Sequence, residues 1–475
     1  MRTYAEADIR RVDCERILKS RLYSEYRQWR VFGELANDSV AAATFSADSR
    51  KVWIGGGGGD GYNSGGSIRL HDMYSTVQLG FWEVDRSIDG FVAPALPDTP
   101  FILTTTAVPS YEYDFSFAGR SRIVEETALW RTGMRGGEFF LDHANGPAVM
   151  WENLARPVLS ASGLNMCGIP SPFQPHIDGC YATIYDTGTG VEIASFRREG
   201  WFMGTYASPY VAPNACFGLG VGGENIVLAA GILWDCRTGG IIGDFDKLST
   251  NGFGVFHPNG NSLLVDNAVW DIRRFSLLET VKQLEDAQSH FCTDGNGSVL
   301  LACSPYSSVA GARARPSSQN SCFHALDASD YSLIHTQHLD TDEVVLLGGT
   351  GALQSDPCGL GYVLSVEGRV NHMFDISESC CRVLEIGRRK PNYQDDEADD
   401  AQTEDEEWDL DHREGTEEDE ENSEEELDAG SILDDDGEEE EDSEGYGEVD
   451  DDASRSNDSM NDRPEEHEND VFYSE

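Results

Sequence analysis

The sequence predicts an all-β chain folded as a seven-bladed ring of WD40 type, on three observations. A short mark, an apolar residue followed by Asp, recurs along the chain. Turn signals sit upstream of many of these marks. The first 390 residues, Gly-rich and aromatic-rich, are long for an ordinary domain but suit one β-propeller.

Each mark has a β-branched or aromatic run, then the apolar–Asp pair, a polar turn and another short strand. The marks are Ile68-Arg69-Leu70-His71-Asp72, Tyr185-Asp186, Trp234-Asp235, Trp270-Asp271, Leu326-Asp327 and Phe374-Asp375. A degenerate copy, Ala128-Leu129-Trp130-Arg131, fills the gap between the first two. Successive marks lie 36 to 58 residues apart. A WD repeat takes about 40–45 residues, so most blades carry insertions. The aromatic is expected to pack between blades, and the Asp to end a strand by accepting backbone hydrogens in the turn. The turn signals are Phe45–Ser49, Val211–Asn214, Phe256–Gly260 and Cys292–Gly295, each expected between two strands of one blade. Unrelated hairpins in a sandwich would also supply turns, but seven ordered marks favour the ring.

The last mark precedes one more strand, Cys381 to Ile386, so a strand from Trp29 to Leu35 is free to complete the final blade and close the ring. Ahead of it, Ala5 to Arg27 reads as a helix, with Leu18, Leu22, Tyr26 and Trp29 at helical spacing and basic residues around them. It either packs on the propeller's own side or docks a partner. The expected division is a helical extension over 1–28, the propeller over 29–390 and a tail over 391–475.

Composition separates that tail. It holds 41 Asp+Glu against 3 Lys+Arg, a net of −38 out of −52 for the chain. So few aliphatic residues cannot offset chain entropy, and the segment is expected to be disordered. Thr403, Thr416 and Ser423 precede acidic triplets, the context of acid-directed kinases. The eleven cysteines show no C-x-x-C, and irregular gaps fit reduced thiols. No apolar run reaches the ~18 residues of a membrane span, and the first thirty residues are charged throughout, unlike a secretory signal.

Catalytic chemistry finds little support. Gly56, Gly58 and Gly61 match G-x-G-x-x-G, but the next element is a strand and no helix N-terminus follows to hold a phosphate; a flexible hairpin insertion is the expectation. The eleven histidines form no H-E-x-x-H, and His257, before a turn proline, reads as structural. No cofactor or metal is expected. The sharper signal is Trp234-Asp235-Cys236-Arg237 and Trp270-Asp271-Ile272-Arg273, a W-D-x-R box on each of two consecutive blades. Each arginine should emerge at a strand end, offering a planar fork of donors to a partner's carboxylates and carbonyls. Arg as a merely tolerated polar residue would explain one box better than two.

The stretch from Gly231 to Val281, with its paired boxes around VFHPNG, resembles the propeller of the Vpr-binding protein family, DDB-one- and cullin-four-associated factors. Residues 181–196 resemble an earlier blade, and 373–388, running into acidic sequence, the family's C-terminal end. The resemblance implies a non-catalytic substrate receptor of a cullin-four RING ubiquitin ligase. Arg237 and Arg273 would bind the DDB-one adaptor, with Asp235 and Asp271 shaping their turns beside Trp234 and Trp270. The opposite face would recruit protein substrates, and the N-terminal helix could enter the adaptor. Family members carry a helical-repeat region and a LisH motif before the propeller; this sequence opens just ahead of the propeller, so self-association through that motif is not carried over. Location in the nucleus, and in the cytoplasm as well, goes with this expectation. The alternative is a chromatin- or histone-binding propeller that uses its acidic tail.

Overall fold

Strands buried on both faces read as unbroken apolar runs rather than as alternation, and this chain has several. Ser262–Val265 and Val299–Cys303 are buried at every residue, whereas Ser276–Thr280 is exposed at every residue. A sheet with enclosed inner strands and an exposed edge must be packed between two others. The computed structural model describes residues 16–387, apart from the connections 34–38, 58–64, 111–121, 143–145, 171–179, 198–214, 219–222, 246–253, 285–289, 294–296, 307–317, 348–352 and 372–375 and a few shorter gaps.

Among the described residues, seven antiparallel sheets follow one another along the chain. Blade 1 comprises Ala42–Phe45, Lys51–Gly57, Gly66–Asp72 and Gln78–Val84. Blade 2 comprises Gly90–Val92, Phe101–Ser110, Arg122–Arg135 and Val149–Glu152, with Glu138–Leu141 paired to the far end of its third strand. Blade 3 holds Leu154–Leu159, Asn165–Pro170, Cys180–Asp186 and Glu192–Arg197; blade 4 holds Ala215–Phe217, Ile226–Ala229, Ile232–Asp235 and Ile241–Asp244. Blade 5 holds Gly254–Phe256, Ser262–Val265, Ala268–Asp271 and Ser276–Thr280; blade 6 holds His290–Thr293, Val299–Cys303, Cys322–Asp327 and Leu333–His338. Blade 7 takes Val344–Leu346, Leu353–Ser355, Tyr362–Val370 and Ile376–Ile386 from the C-terminal side and Tyr26–Phe32 from the N-terminal side. The innermost strands touch in sequence from blade 1 to blade 7, and Ala42–Phe45 of blade 1 meets Tyr362–Val370 of blade 7, with Thr44 donating to Gln354 Oε1, so the ring is closed.

The closing strand is of the expected kind but starts earlier than Trp29. Tyr26 pairs with Ile386 and Phe32 with Cys381. The helix is correspondingly shorter than expected at its C-terminal end. Residues 16–22 are helical, and Tyr26 and Arg27 belong to the strand. The spacing of Leu18, Leu22, Tyr26 and Trp29 is therefore not one helix face. Tyr23 is the residue buried, among Val299, Phe323 and Leu384, while Leu18 and Leu22 are exposed.

Three further expectations are corrected. Phe374-Asp375 lies outside the described residues, and its flanking strands put it before the third strand of blade 7, not after it; the chain terminus supplies this blade's edge and no marked turn is needed. Val211–Asn214 also lies outside the described residues, between blades 3 and 4 rather than within a blade. The glycine run is in part a strand. Gly55, Gly56 and Gly57 pair with Ile68, Ser67 and Gly66 inside blade 1. A Cβ on Gly55 would collide with Ile88 and Phe91, and one on Gly56 with the Ser39 carbonyl. These glycines thin the strand for close approach of its neighbours.

The chain divides at Asp396 into two units. The second, on which the expectation of disorder and the phosphate-acceptor candidates fall, lies outside the described residues. No helix among the described residues is long and apolar enough to cross a membrane.

Candidate protein-docking surface

Five marks end the third strand of blades 1, 3, 4, 5 and 6, and the same turn is built at each. The carboxylates of Asp72, Asp186, Asp235, Asp271 and Asp327 accept backbone N–H groups two or three residues on. The residue four past the Asp has positive φ in every case: Thr76 (59°), Gly190 (72°), Gly239 (68°), Phe275 (50°) and Tyr331 (54°). The pairing register slips just before each Asp. This is a hairpin with a left-handed residue at its bulge, which matches the twist of the strands it joins. The residue after the Asp donates its N–H to the first turn of the same blade, as Cys236 does to Asn225 O (2.8 Å) and Ile272 to Asn261 O (3.1 Å). Both short turns of a blade are thereby fixed on one rim of the ring. The second-to-third strand links, and the links from each blade to the next, start from the opposite strand ends. In blade 2 Arg131 stands in place of the Asp, so the strand runs on to Arg135 and folds back as an extra hairpin.

The aromatic of the mark reaches the preceding blade. Trp234 stacks on Phe196 of blade 3 (5.1 Å, 16°), and Trp270 lies against Phe245 at the end of blade 4 (5.3 Å). His257 is structural as expected: its ring bonds the Ala328 carbonyl and meets Tyr331 edge-on, joining blades 5 and 6.

Position two past the Asp distinguishes the blades. It is Tyr74, Gly188, Arg237, Arg273 and Ser329 in turn. The Arg237 backbone N–H donates to Asp235 Oδ1 at 2.9 Å, and its Nε and Nη2 lie 3.4 Å from the same carboxylate. Arg273 repeats this at 2.8 Å for the backbone and 3.4 Å for Nη2, and Arg274 N–H adds a third donor to Asp271. Bonds of 3.4 Å are weak, so the carboxylates shape the turn while leaving the guanidinium groups outward. The Arg237 and Arg273 side chains are 71% and 67% exposed. The backbone N–H of Arg237, then its side chain, holds the Asp235 carboxyl below its usual range; the backbone N–H of Arg273 does the same for Asp271. Both turns are therefore fully charged at neutral pH. Beside Arg237 a groove of about 510 Å³ runs between blades 3 and 4, past Asn165, Ile193 and Glu224. Glu224 fixes that joint by accepting Ser162 N–H (2.6 Å) and Oγ–H (2.9 Å).

Two features of this rim were not read from the sequence. Lys19 of the N-terminal helix supplies a cation to the blade 6 mark, its Nζ 3.1 Å from Asp327 Oδ1, and Arg16 adds a looser pair with Asp330. The second is the left-handed aromatic at positions 275 and 331. Aligning the marks on their Asp would have exposed it as a bulky residue where the turn favours glycine.

Among the described residues no three His, Cys, Asp or Glu side chains are placed to hold a metal ion. A closed ring of seven antiparallel blades, five of them turned by the same Asp, defines a WD40-type propeller, and two consecutive turns present exposed arginines.

No protein-family model matches the chain. Over 159 residues it is 33% identical to Protein mahjong of Drosophila melanogaster, a match covering 33% of this chain and 9% of that protein. Over 177 residues it is 31% identical to DDB1- and CUL4-associated factor homolog 1 of Arabidopsis thaliana, covering 36% of this chain and 9% of the relative. The protein of the same name from Caenorhabditis elegans is 32% identical over 117 residues, 24% of this chain and 6% of the relative. The chain is thus homologous over part of its length to proteins of the family that its W-D-x-R segment resembles, and the match spans less than a tenth of those relatives. Among solved structures, Sqt1 of Chaetomium thermophilum superposes with a TM-score of 0.46 at 14% identity, over 76% of this chain and, in its complex with the N-terminus of ribosomal protein L10, 100% of that one.

Proposed function

We propose that this chain is a non-catalytic substrate receptor of a cullin-RING ubiquitin ligase, which binds a DDB1-type adaptor through Arg237 and Arg273 and presents protein substrates to the ligase. The observation that carries it is the pair of exposed, Asp-shaped arginine turns on consecutive blades. The relatives named for association with DDB1 and CUL4 support the class of partner. Guanidinium forks suit carboxylates and carbonyls on a protein surface, and two on adjacent turns can engage one partner at once. In the same reading the opposite rim, with its longer connections, receives substrates.

The test is a binding titration of the purified full chain against the adaptor. Each charge-assisted contact is worth about 1.5–3 kcal/mol, so Arg237→Ala with Arg273→Ala should weaken binding at least a hundredfold while the chain stays folded. Unchanged affinity would refute the assignment of the boxes.

A second reading rests on the tail, whose net charge of −38 suits long-range attraction to histones or other basic proteins. Deleting residues 391–475 should abolish such binding; binding that persists, or that ignores salt, counts against it.

A further inference from the structure

We infer that Phe275, with Ile241 and Leu277, is the apolar anchor of the docking surface that carries Arg237 and Arg273, and that the adaptor meets it with an apolar side chain flanked by carboxylates. The inference rests on the reading proposed above and extends it from two charges to a defined patch.

The blades themselves supply the comparison. Tyr331 of blade 6 and Phe275 of blade 5 occupy the same left-handed position. Tyr331 leans on His257 of the preceding blade and is 8% exposed. Phe275 leans the same way, on Phe245 and over Gly243 of blade 4, where a Cβ would collide with its ring. Yet Phe275 remains 42% exposed. A bulky residue with positive φ is strained, and blades 3 and 4 use glycine there without loss of the turn.

The fourth strands repeat the contrast. The residue paired with the one before the Asp is Gln78, Glu192, Ile241, Leu277 and Leu333 in blades 1, 3, 4, 5 and 6. Blades 4 and 5 alone among these five combine an exposed apolar residue there with arginine in the turn. Phe275 reaches from blade 5 onto Phe245 and Gly243 of blade 4, and Ile241 and Leu277 are exposed on the fourth strands of the same two blades, whose turns carry Arg237 and Arg273. Aromatic and Arg anchors dominate protein interfaces when a partner excludes water from them, and the flanking charges select a carboxylate-bearing partner.

The experiment measures adaptor affinity for the full chain with Phe275→Gly, with Leu277→Ser plus Ile241→Ser, with Arg237→Ala plus Arg273→Ala, and with Val77→Ser, a still more exposed apolar residue on blade 1. Phe275→Gly should raise Kd about thirtyfold, the scale of an interface hot spot, and the Leu277/Ile241 pair about tenfold, with Val77→Ser unchanged. Thermal melts accompany each variant. If Phe275→Gly fails to fold, the Leu277/Ile241 pair, exposed at both sites, decides. Wild-type affinity in the folded apolar variants, with loss in the arginine variant, overturns this inference and leaves the proposed function standing. Wild-type affinity in the arginine variant overturns the proposed function itself.

Discussion

Arg382 is where both ends of the propeller chain meet, and removing it tests the account of ring closure. It lies in the third strand of blade 7, opposite Ser365 on one side and Val31 of the N-terminal strand on the other. Its guanidinium donates to Gln28 Oε1 (2.8 Å) and Asp340 Oδ2 (2.8 Å). Its Nε lies 3.1 Å from Glu367 Oε2, an ion pair without the alignment of a hydrogen bond. Glu367 is 1% exposed, and its other oxygen accepts from Ser365 Oγ at 2.6 Å. Burial already pushes the Glu367 carboxyl up, against the pull of Arg382. Arg382→Met keeps the length of the stem and strands that carboxylate. Breaking a buried pair from one side costs about 3–5 kcal/mol, but a carboxylate can escape by taking up a proton. From an ordinary value of 4.5, protonation at pH 7 costs at most about 3.4 kcal/mol, at about 1.36 kcal/mol per pH unit. At pH 5 the same step costs less than about 1 kcal/mol. The sign follows from linkage: a carboxyl whose folded pKa is raised favours the folded state below its unfolded value, and that advantage is lost as pH rises. The variant should therefore lose about 2–3 kcal/mol at pH 7 and little at pH 5, read from urea unfolding followed by tryptophan fluorescence. Adding Glu367→Gln should remove most of the pH dependence. An equal loss at both pH values, or no relief from the second change, would refute the reasoning.

Three more outcomes are expected. Lys19→Ala should release the helix from blade 6 at a cost of about 1 kcal/mol, since Lys19 is only partly buried, and faster amide exchange at residues 16–23 with blade 4 unaffected would show it. Acidification through and below the ordinary aspartate value of 3.8 should loosen the marked turns, because their carboxyls are held low and their contribution is lost as pH falls through the folded pKa; amide exchange at Arg237 and Arg273, corrected for its intrinsic pH dependence, reports it. Among the described cysteines, Cys358 is the exposed one and should alkylate first at pH 8, whereas burial pushes the Cys216 thiol up to about 12 and Cys381 well above the usual range, so these should stay unlabelled.

The fold was largely legible because the propeller repeats a local solution. Trp234-Asp235 and Trp270-Asp271 carry their turn chemistry within five residues, and sequence spacing alone marked the blades. Legibility failed where the repeat is broken. Blade 2 lacks the Asp and extends its strand, and blade 7 is assembled from Tyr26–Phe32 and Ile376–Ile386, which are over three hundred residues apart. The N-terminal helix was overextended because Tyr26 and Trp29 continue a helical spacing by chance, while the strand that holds them pairs with residues at the far end of the chain.

By itself, then, the sequence determined the blade count, five of the marked turns and the two arginines that leave them, since each turn depends on residues a few positions apart. Only the tertiary structure decided where Lys19 and Arg382 find their carboxylates, and that Phe275 stays exposed while Tyr331 is covered. Those outcomes depend on what the adjacent blade places against each side chain: His257 against Tyr331, and Phe245 and Gly243 against Phe275.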